Sequence, residues 1–154
     1  MRTLVFLFII VLFTFSSCGP ARTTNRTTIP QGLEGVVQIA RGDRMPSPDL
    51  PKEEPAGYPT TVYIHELTPL SQLRKTDKAG LFLSVPTPLI TSVTTDSVGR
   101  FSIALPPGNY SLFVKYKNGF YANWFNEKNQ VGPAEVQENK VTQLKLLITA
   151  EATF

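Results

Sequence analysis

The sequence is poor in the residues that build reactive sites. It has one cysteine, Cys18, and one histidine, His65, in 154 residues. A single thiol excludes an internal disulfide framework and a cysteine-rich zinc site. A single imidazole excludes a metal site or a proton relay made of two histidines, and the acidic residues follow no calcium-loop spacing. We therefore expect no cofactor, no bound metal ion and no catalytic residue.

Charge is also sparse. Asp, Glu, Lys and Arg make up 18% of the chain, with a formal net charge of +3, whereas an average soluble protein has about 25% charged residues. This balance does not favour nucleic acid as a partner, and no run of Lys and Arg is interleaved with aromatic residues. The 13 prolines and 10 glycines indicate many turns, which suits an all-β domain better than a helical one.

From residue 32 onward, apolar residues recur at every second position, which is typical of strands with one buried face. The pattern is carried by Leu33, Gly35, Val37 and Ile39; by Val62 and Ile64; by Phe101, Ile103 and Leu105; by Tyr110, Leu112, Val114 and Tyr116; and by Leu144, Leu146 and Ile148. No stretch has a convincing helical period, and residues 68–80 allow at most one or two helical turns. The sequence predicts one all-β domain over residues 32–154.

Turn residues between these runs predict antiparallel hairpins. Asp96 can bond its own backbone two residues on, and Gly99 can adopt a positive φ. A Pro-Pro-Gly turn ends at Gly108, and Tyr110 begins the next strand. Tyr110 is therefore a candidate tyrosine corner, whose hydroxyl bonds upstream backbone. Seven or eight short strands in about 120 residues fit an antiparallel β-sandwich.

The first residues form a targeting signal. Arg2 precedes an apolar run at residues 4–15, and two serines follow that run. The run is shorter than the roughly 20 apolar residues that a membrane-spanning helix needs. A charged start, a short apolar run and small residues are typical of a secretory signal peptide. We assign residues 1–17 to a signal peptide and residues 18–31, which are polar and without periodicity, to a flexible tether.

Residues 15–19, Phe-Ser-Ser-Cys-Gly, resemble a bacterial lipobox. That resemblance implies cleavage before Cys18 and lipidation of its thiol and its new amino group. The only cysteine of the chain stands at the one position where this chemistry requires it. Several acyl chains anchor a protein firmly, since each buried methylene contributes about 0.8 kcal/mol. Because Gly19 rather than aspartate follows the cysteine, the resemblance implies the outer membrane of a bacterial cell envelope.

Residues 95–110 resemble the carboxypeptidase regulatory-like domain. The family pattern T-D-x-x-G-x-F-x-x-x-L-P-P-G-x-Y is met at every fixed position, and Gly35-Val36-Val37 fits the family's first strand. The resemblance covers about residues 32–154, as in small secreted proteins of Bacteroidetes that consist of this domain alone. It implies a seven-stranded transthyretin-like (prealbumin-like) sandwich. In carboxypeptidases this module lies beside the catalytic domain and does no chemistry, so the resemblance implies a non-enzymatic domain.

Residues 120–126 form the densest aromatic stretch of the chain. As one strand they would have two faces, Phe120, Ala122 and Trp124 on one and Tyr121, Asn123 and Phe125 on the other. One face must be core. The other either forms an open aromatic platform for a sugar ring or a partner protein, or is covered by the proline-rich loop at residues 41–59. Tyr121, Trp124 and Phe125 are the candidate ligand or partner contacts.

His65 continues the run of Val62 and Ile64, and we expect it at the surface or rim of the domain. It is the only side chain that could serve as the base of a hydrolytic triad. The sequence instead predicts a lipid-anchored, non-enzymatic lipoprotein whose sandwich is a binding or assembly module in the cell envelope, with an envelope protein or a glycan as partner. The alternative is a carbohydrate-binding accessory module that uses the aromatic residues of 120–126.

Overall fold

A computed structural model describes residues 29–45 and 54–153. The predicted signal peptide, Cys18 and the tether up to residue 28 lie outside the described residues, as do residues 46–53 of the proline-rich loop. The described strands are β1 (Gly32–Asp43), β2 (Ala56–Gly57), β3 (Thr61–Glu66), β4 (Thr68–Pro69), β5 (Arg74–Lys75), β6 (Leu81–Ser84), β7 (Leu89–Thr94), β8 (Arg100–Ala104), β9 (Gly108–Tyr116), β10 (Gly119–Tyr121), β11 (Gln130–Val131), β12 (Pro133–Val136) and β13 (Val141–Thr153). Within these described residues, one 3₁₀ turn occupies Leu70–Gln72.

The strands form two sheets and a small ribbon. In the first sheet β1 is central, with β13 along one side and β8 and β2 along the other. The second sheet has the order β5-β6-β10-β9-β3-β7, and β12 also pairs with β9. The ribbon joins β4 and β11. The all-β prediction is confirmed, and none of the described residues belongs to a helix that could cross a membrane.

The pairing between β1 and β13 is parallel, from Gly32 opposite Val141 to Asp43 opposite Thr153. Every other strand pairing in the described residues is antiparallel, as the turns predict. The expectation of a wholly antiparallel sandwich is therefore wrong for this pair. Turn residues set the direction of strands that follow one another, whereas β1 and β13 are the first and last strands described. No turn joins them, so only the path of the whole chain sets their relative direction.

The main core lies between the two sheets. Most of its fully buried side chains come from the predicted alternating runs, namely Leu33, Val37, Ile39, Val62, Ile64, Leu112, Val114, Tyr116, Leu146 and Ile148. Burying one aliphatic side chain of this size contributes about 1.5–3 kcal/mol. Phe101 is 6% exposed, and its neighbour Ser102 is only partly buried. Period-two alternation therefore correctly predicts which face of these strands is buried.

A second apolar cluster covers part of the outer face of the second sheet. It consists of Leu73, Phe82, Phe113, Ala122 and Val131, with further half-buried residues packed against it. The 3₁₀ turn and the segment after β10 supply its outer layer, so four consecutive residues of β9 are buried. A strand that is covered on both faces loses its alternating burial pattern.

Two predicted turns have the expected local bonds. The Asp96 carboxylate accepts hydrogen bonds from the backbone N–H of Val98 at 2.9 Å and of Arg100 at 2.8 Å. Gly99 has a φ of 81°, a region that glycine adopts without strain. The Tyr110 hydroxyl donates to the Pro106 carbonyl at 2.9 Å, which confirms the predicted bond to upstream backbone.

Candidate functional site

The aromatic stretch 120–126 does not form one strand. The strand β10 ends at Tyr121, which is 1% exposed and belongs to the main core. Its hydroxyl lies 2.9 Å from Oγ1 of Thr149 and accepts the Thr149 backbone N–H at 3.1 Å. The expectation that residues 120–126 form one strand, with Tyr121 and Phe125 on the same face, is therefore wrong, and Tyr121 is on the buried side. Both residues share a face only if the strand continues beyond Tyr121, and the chain leaves the sheet there.

Trp124 and Phe125 occupy different environments. Trp124 is half-buried, packs against both apolar clusters, and directs its indole Nε1 to the Pro133 carbonyl at 3.3 Å. Phe125 is 47% exposed and forms an isolated bridge with Val131. The three predicted contacts therefore do not form a common surface. Ligand contact by Trp124 or Phe125 stays a prediction. Lipidation of Cys18 also stays a prediction, because Cys18 lies outside the described residues.

A different aromatic surface lies on the outer face of the second sheet, at the margin of the second apolar cluster. Cross-strand pairing places Phe120 opposite Lys115, and Tyr63 opposite Ser92. Residues directly opposite each other on neighbouring strands share a face. We call this area the Phe120 surface, and its members are Thr61, Tyr63, Ser92, Thr94, Lys115 and Phe120. All six are half-buried or exposed.

The Phe120 surface combines an aromatic pair with one cation. The rings of Tyr63 and Phe120 meet edge to face, with centroids 5.3 Å apart and an interplanar angle of 77°. The Lys115 ammonium lies 5.0 Å from the Phe120 centroid, a cation–π distance. Neither ion pair of the described residues involves Lys115. The surface therefore offers an apolar area, a lysine without a carboxylate partner among the described residues, and the hydroxyls of its serine and threonines.

Sequence reasoning missed this surface because its members lie on four strands, of which only β9 and β10 follow one another in the chain. Only strand order and register bring Tyr63, Ser92 and Phe120 together. One signal was available, since Tyr63 alternates with Val62 and Ile64 and must face away from the main core. That signal gives the direction of one side chain but not its neighbours.

His65 is buried rather than at the rim. It is 6% exposed, its ring meets Phe113 edge to face at 5.7 Å, and Nδ1 lies 2.8 Å from the Thr87 carbonyl. Because a carbonyl can only accept, Nδ1 must carry the proton of this bond. The rim expectation is wrong because the second apolar cluster and the segment that contains Thr87 cover the outer face at this point.

Ser111 lies directly opposite His65 in the pairing of β3 with β9. Its hydroxyl donates to the Val131 carbonyl at 2.6 Å and accepts the Thr68 backbone N–H at 2.9 Å. The residue has no exposed surface. Both bonds connect β9 to the layer outside the sheet, so this serine holds the ribbon of β4 and β11 in place and faces no solvent.

A charge cluster joins the ends of three strands. The Glu151 carboxylate accepts hydrogen bonds from Lys117 Nζ at 2.8 Å, the Tyr116 hydroxyl at 2.6 Å and Arg41 Nε at 2.9 Å. Lys117, Tyr116 and Arg41, in that order of effect, lower the pKa of Glu151 from 4.5 to about 2. Burial, followed by the hydrogen bond to Glu151, raises the pKa of Tyr116. We call these four residues the Glu151 cluster.

Within residues 29–45 and 54–153, no group of three or more His, Cys, Asp or Glu side chains is placed to hold a metal ion. Comparison with models of protein families, with curated proteins and with solved structures finds no match to this chain.

Proposed function

We propose that this chain is a lipid-anchored protein of the bacterial cell envelope whose sandwich is a non-enzymatic binding module. It binds its partner through the Phe120 surface. The observation that carries the proposal is the half-buried pair of Tyr63 and Phe120, which packs against the second apolar cluster. Beside it lies Lys115, which has no carboxylate partner among the described residues. Aromatic residues give large contact areas at low entropic cost and dominate many interfaces.

The position of the tether supports this proposal. Gln31 is fastened where the chain enters the domain, since its Nε2 donates to the Leu105 carbonyl at 2.8 Å and its Oε1 accepts the Asn139 backbone N–H at 2.9 Å. The strand β9 begins at this end of the sandwich, because Gly108 pairs with Val136 just before the turn into β13. Lys115 lies seven residues further along, about 23 Å away for an extended strand. A tether attached at the first end presents the Phe120 surface away from the lipid anchor.

We also propose that the sandwich is transthyretin-like and belongs with the carboxypeptidase regulatory-like domains. The sequence motif at residues 95–110 supports this assignment. So do the Asp96 turn and the Tyr110 hydroxyl bond, which give two of the motif's residues a structural role. A module of this kind does no chemistry in carboxypeptidases, in agreement with a binding role here.

The alternative function is carbohydrate binding. It is favoured by the hydroxyls of Thr61, Ser92 and Thr94, which flank the aromatic pair and can bond sugar hydroxyls. The exposed ring of Phe125 offers a second stacking position. The ammonium of Lys115 favours a saccharide that carries a carboxylate.

Two experiments test the proposed function. Radiolabelled palmitate should enter the wild-type chain and not the Cys18→Ala variant, and equal labelling of both would contradict the lipid anchor. The immobilised wild-type domain should then be screened against a glycan array with neutral and uronic-acid-containing sugars, and against detergent-solubilised envelope proteins. Retention of a protein supports the main proposal, and retention of a glycan supports the alternative. Retention of neither contradicts both.

A further inference from the structure

The strand β7 forms one edge of the second sheet. Within the described residues it pairs only with β3, through contacts such as Val93 opposite Val62. Its other side has no strand partner in that part of the chain. An edge of this kind presents backbone donors and acceptors that can pair with another strand.

The hydrogen-bond pattern shows which backbone groups point outward. The Thr95 backbone N–H donates to the Thr60 carbonyl at 2.8 Å. Along an antiparallel strand, successive residues direct their N–H and C=O groups to opposite sides. Thr91 and Val93 therefore bond toward β3, and Ser92 and Thr94 direct their backbone groups away from the sheet.

The β7 edge has neither the charged residues nor the short length of the other edges, and its one register shift lies at its start, between the pairs Ile64–Thr91 and His65–Leu89. Its six residues, LITSVT, contain no charge and no proline. At the opposite end of the same sheet, β5 is two residues long and both are basic, Arg74 and Lys75. In the first sheet, β13 carries Lys145 and Glu151. Short strands and charged residues are the usual devices that prevent edge pairing.

Exposed apolar side chains accompany this edge. Leu89 is 53% exposed and Ile90 is 45% exposed, and both lie at the start of β7. A β-branched, uncharged edge with two exposed aliphatic residues is suited to a partner strand of the same kind.

We propose that β7 is a self-association edge, which pairs antiparallel with β7 of a second copy of this chain about a two-fold axis at Ser92. In this register Ser92 lies opposite Ser92 of the other copy, and Thr91 lies opposite Val93. The outward backbone groups of Ser92 are then satisfied by the same groups of its counterpart. A second copy fits this edge because an uncharged strand can face itself without placing like charges opposite each other.

The two-fold arrangement is compatible with a lipid tether. Only this compatibility rests on the proposed function, which supplies the lipid anchor, and the pairing of β7 does not. Antiparallel pairing reverses the second copy, so the two tethers leave from opposite ends of the dimer. If the two-fold axis is perpendicular to the membrane, both tethers start at the same height above it. If residues 18–31 form the flexible tether that the sequence predicts, they span about 20 Å, and two stacked sheets are about 10 Å apart. Both anchors can therefore reach one leaflet, and anchoring raises the local concentration of copies.

Cysteine cross-linking in membranes tests the register. The full-length Ser92→Cys chain, expressed in a bacterial envelope and oxidised, should give a disulfide-linked species of twice the chain mass. Residues that pair across an antiparallel ladder have Cα atoms about 5.5 Å apart, within the range of a disulfide. Ser97→Cys, which is exposed in the turn after β7, and the wild-type chain are the controls, and neither should give a disulfide-linked dimer. Equal dimer from Ser97→Cys, no dimer from Ser92→Cys, or a cross-link to a protein of another mass would each overturn the proposal.

A charge exchange at the same position tests self-pairing directly. Two differently tagged wild-type copies should co-purify from detergent extracts. Copies that both carry Ser92→Lys, or both carry Ser92→Glu, should co-purify at least tenfold less because like charges face each other across the axis. A Ser92→Lys copy expressed with a Ser92→Glu copy should recover the association. Loss without recovery in the mixed pair would overturn the proposal, and palmitate labelling of Cys18 reports separately on the lipid anchor.

Discussion

The Tyr116 hydroxyl donates to Glu151 Oε1 at 2.6 Å, and this bond ties the end of β9 in the second sheet to the end of β13 in the first. Arg41, near the end of β1, donates from Nε to the other oxygen of the same carboxylate at 2.9 Å. The two sheets are therefore joined by charge and hydrogen bonding at the end remote from the tether, in addition to the apolar core between them.

Acid should weaken this connection. The pKa of Glu151 falls from 4.5 to about 2 in the folded chain. A carboxyl whose pKa is lowered on folding stabilises the fold above its unfolded pKa, and this contribution is lost as the pH falls through the folded value. Glu151→Gln should melt at a lower temperature than wild type at pH 7, and the difference should shrink between pH 4.5 and 2. Glu138→Gln, at an exposed carboxylate, is the control. A difference that is constant with pH would contradict the assignment.

Phe101 should be essential to the main core. Its ring lies against Gly35 of β1, where an added Cβ would come 3.0 Å from Phe101 Cζ. Replacing a buried phenylalanine by alanine costs about 3–5 kcal/mol, so Phe101→Ala should strongly lower the free energy of unfolding in urea. Ser102→Ala removes one partly exposed hydroxyl, which donates to Glu34 at 3.2 Å, and should cost less than about 1 kcal/mol. The reverse order would mean that the faces of β8 are inverted.

Alanine substitutions at two glycines with similar φ angles should distinguish the cost of backbone strain from the cost of a steric clash. Gly99 has a φ of 81° and Gly42 a φ of 70°. A Cβ on Gly99 would lie 2.2 Å from the Val37 carbonyl oxygen, whereas a Cβ on Gly42 would meet no atom within 4 Å. Gly42→Ala should therefore cost only the left-handed backbone penalty, about 1–2 kcal/mol. Gly99→Ala should cost clearly more, measured by urea unfolding. Equal costs would show that the turn at Gly99 can move away from β1.

Sequence periodicity predicted the faces of strands well where one face meets the main core. Val62, Ile64 and Phe101 are buried as expected because alternation is a direct consequence of the pleat. Periodicity wrongly predicted one strand over residues 120–126, because a pattern of aromatic residues does not show that β10 ends at Tyr121. It failed for His65 as well, because the layer that covers this residue comes from segments far along the chain. The Phe120 surface depends on the register of four strands, which no local pattern specifies.

The Phe120 surface is the central claim for function, and one comparison tests it most directly. Wild type, Phe120→Leu, Lys115→Gln and the control Lys75→Gln should be compared for melting temperature and for retention of the glycan or envelope protein that the wild-type domain binds. Phe120→Leu keeps an apolar side chain in place and removes only the ring. Loss of an aromatic anchor weakens binding by about 2 kcal/mol, or roughly thirtyfold. We predict that loss for Phe120→Leu, a smaller loss for Lys115→Gln, no loss for Lys75→Gln, and little change in melting temperature. Wild-type binding by both Phe120→Leu and Lys115→Gln would contradict the account.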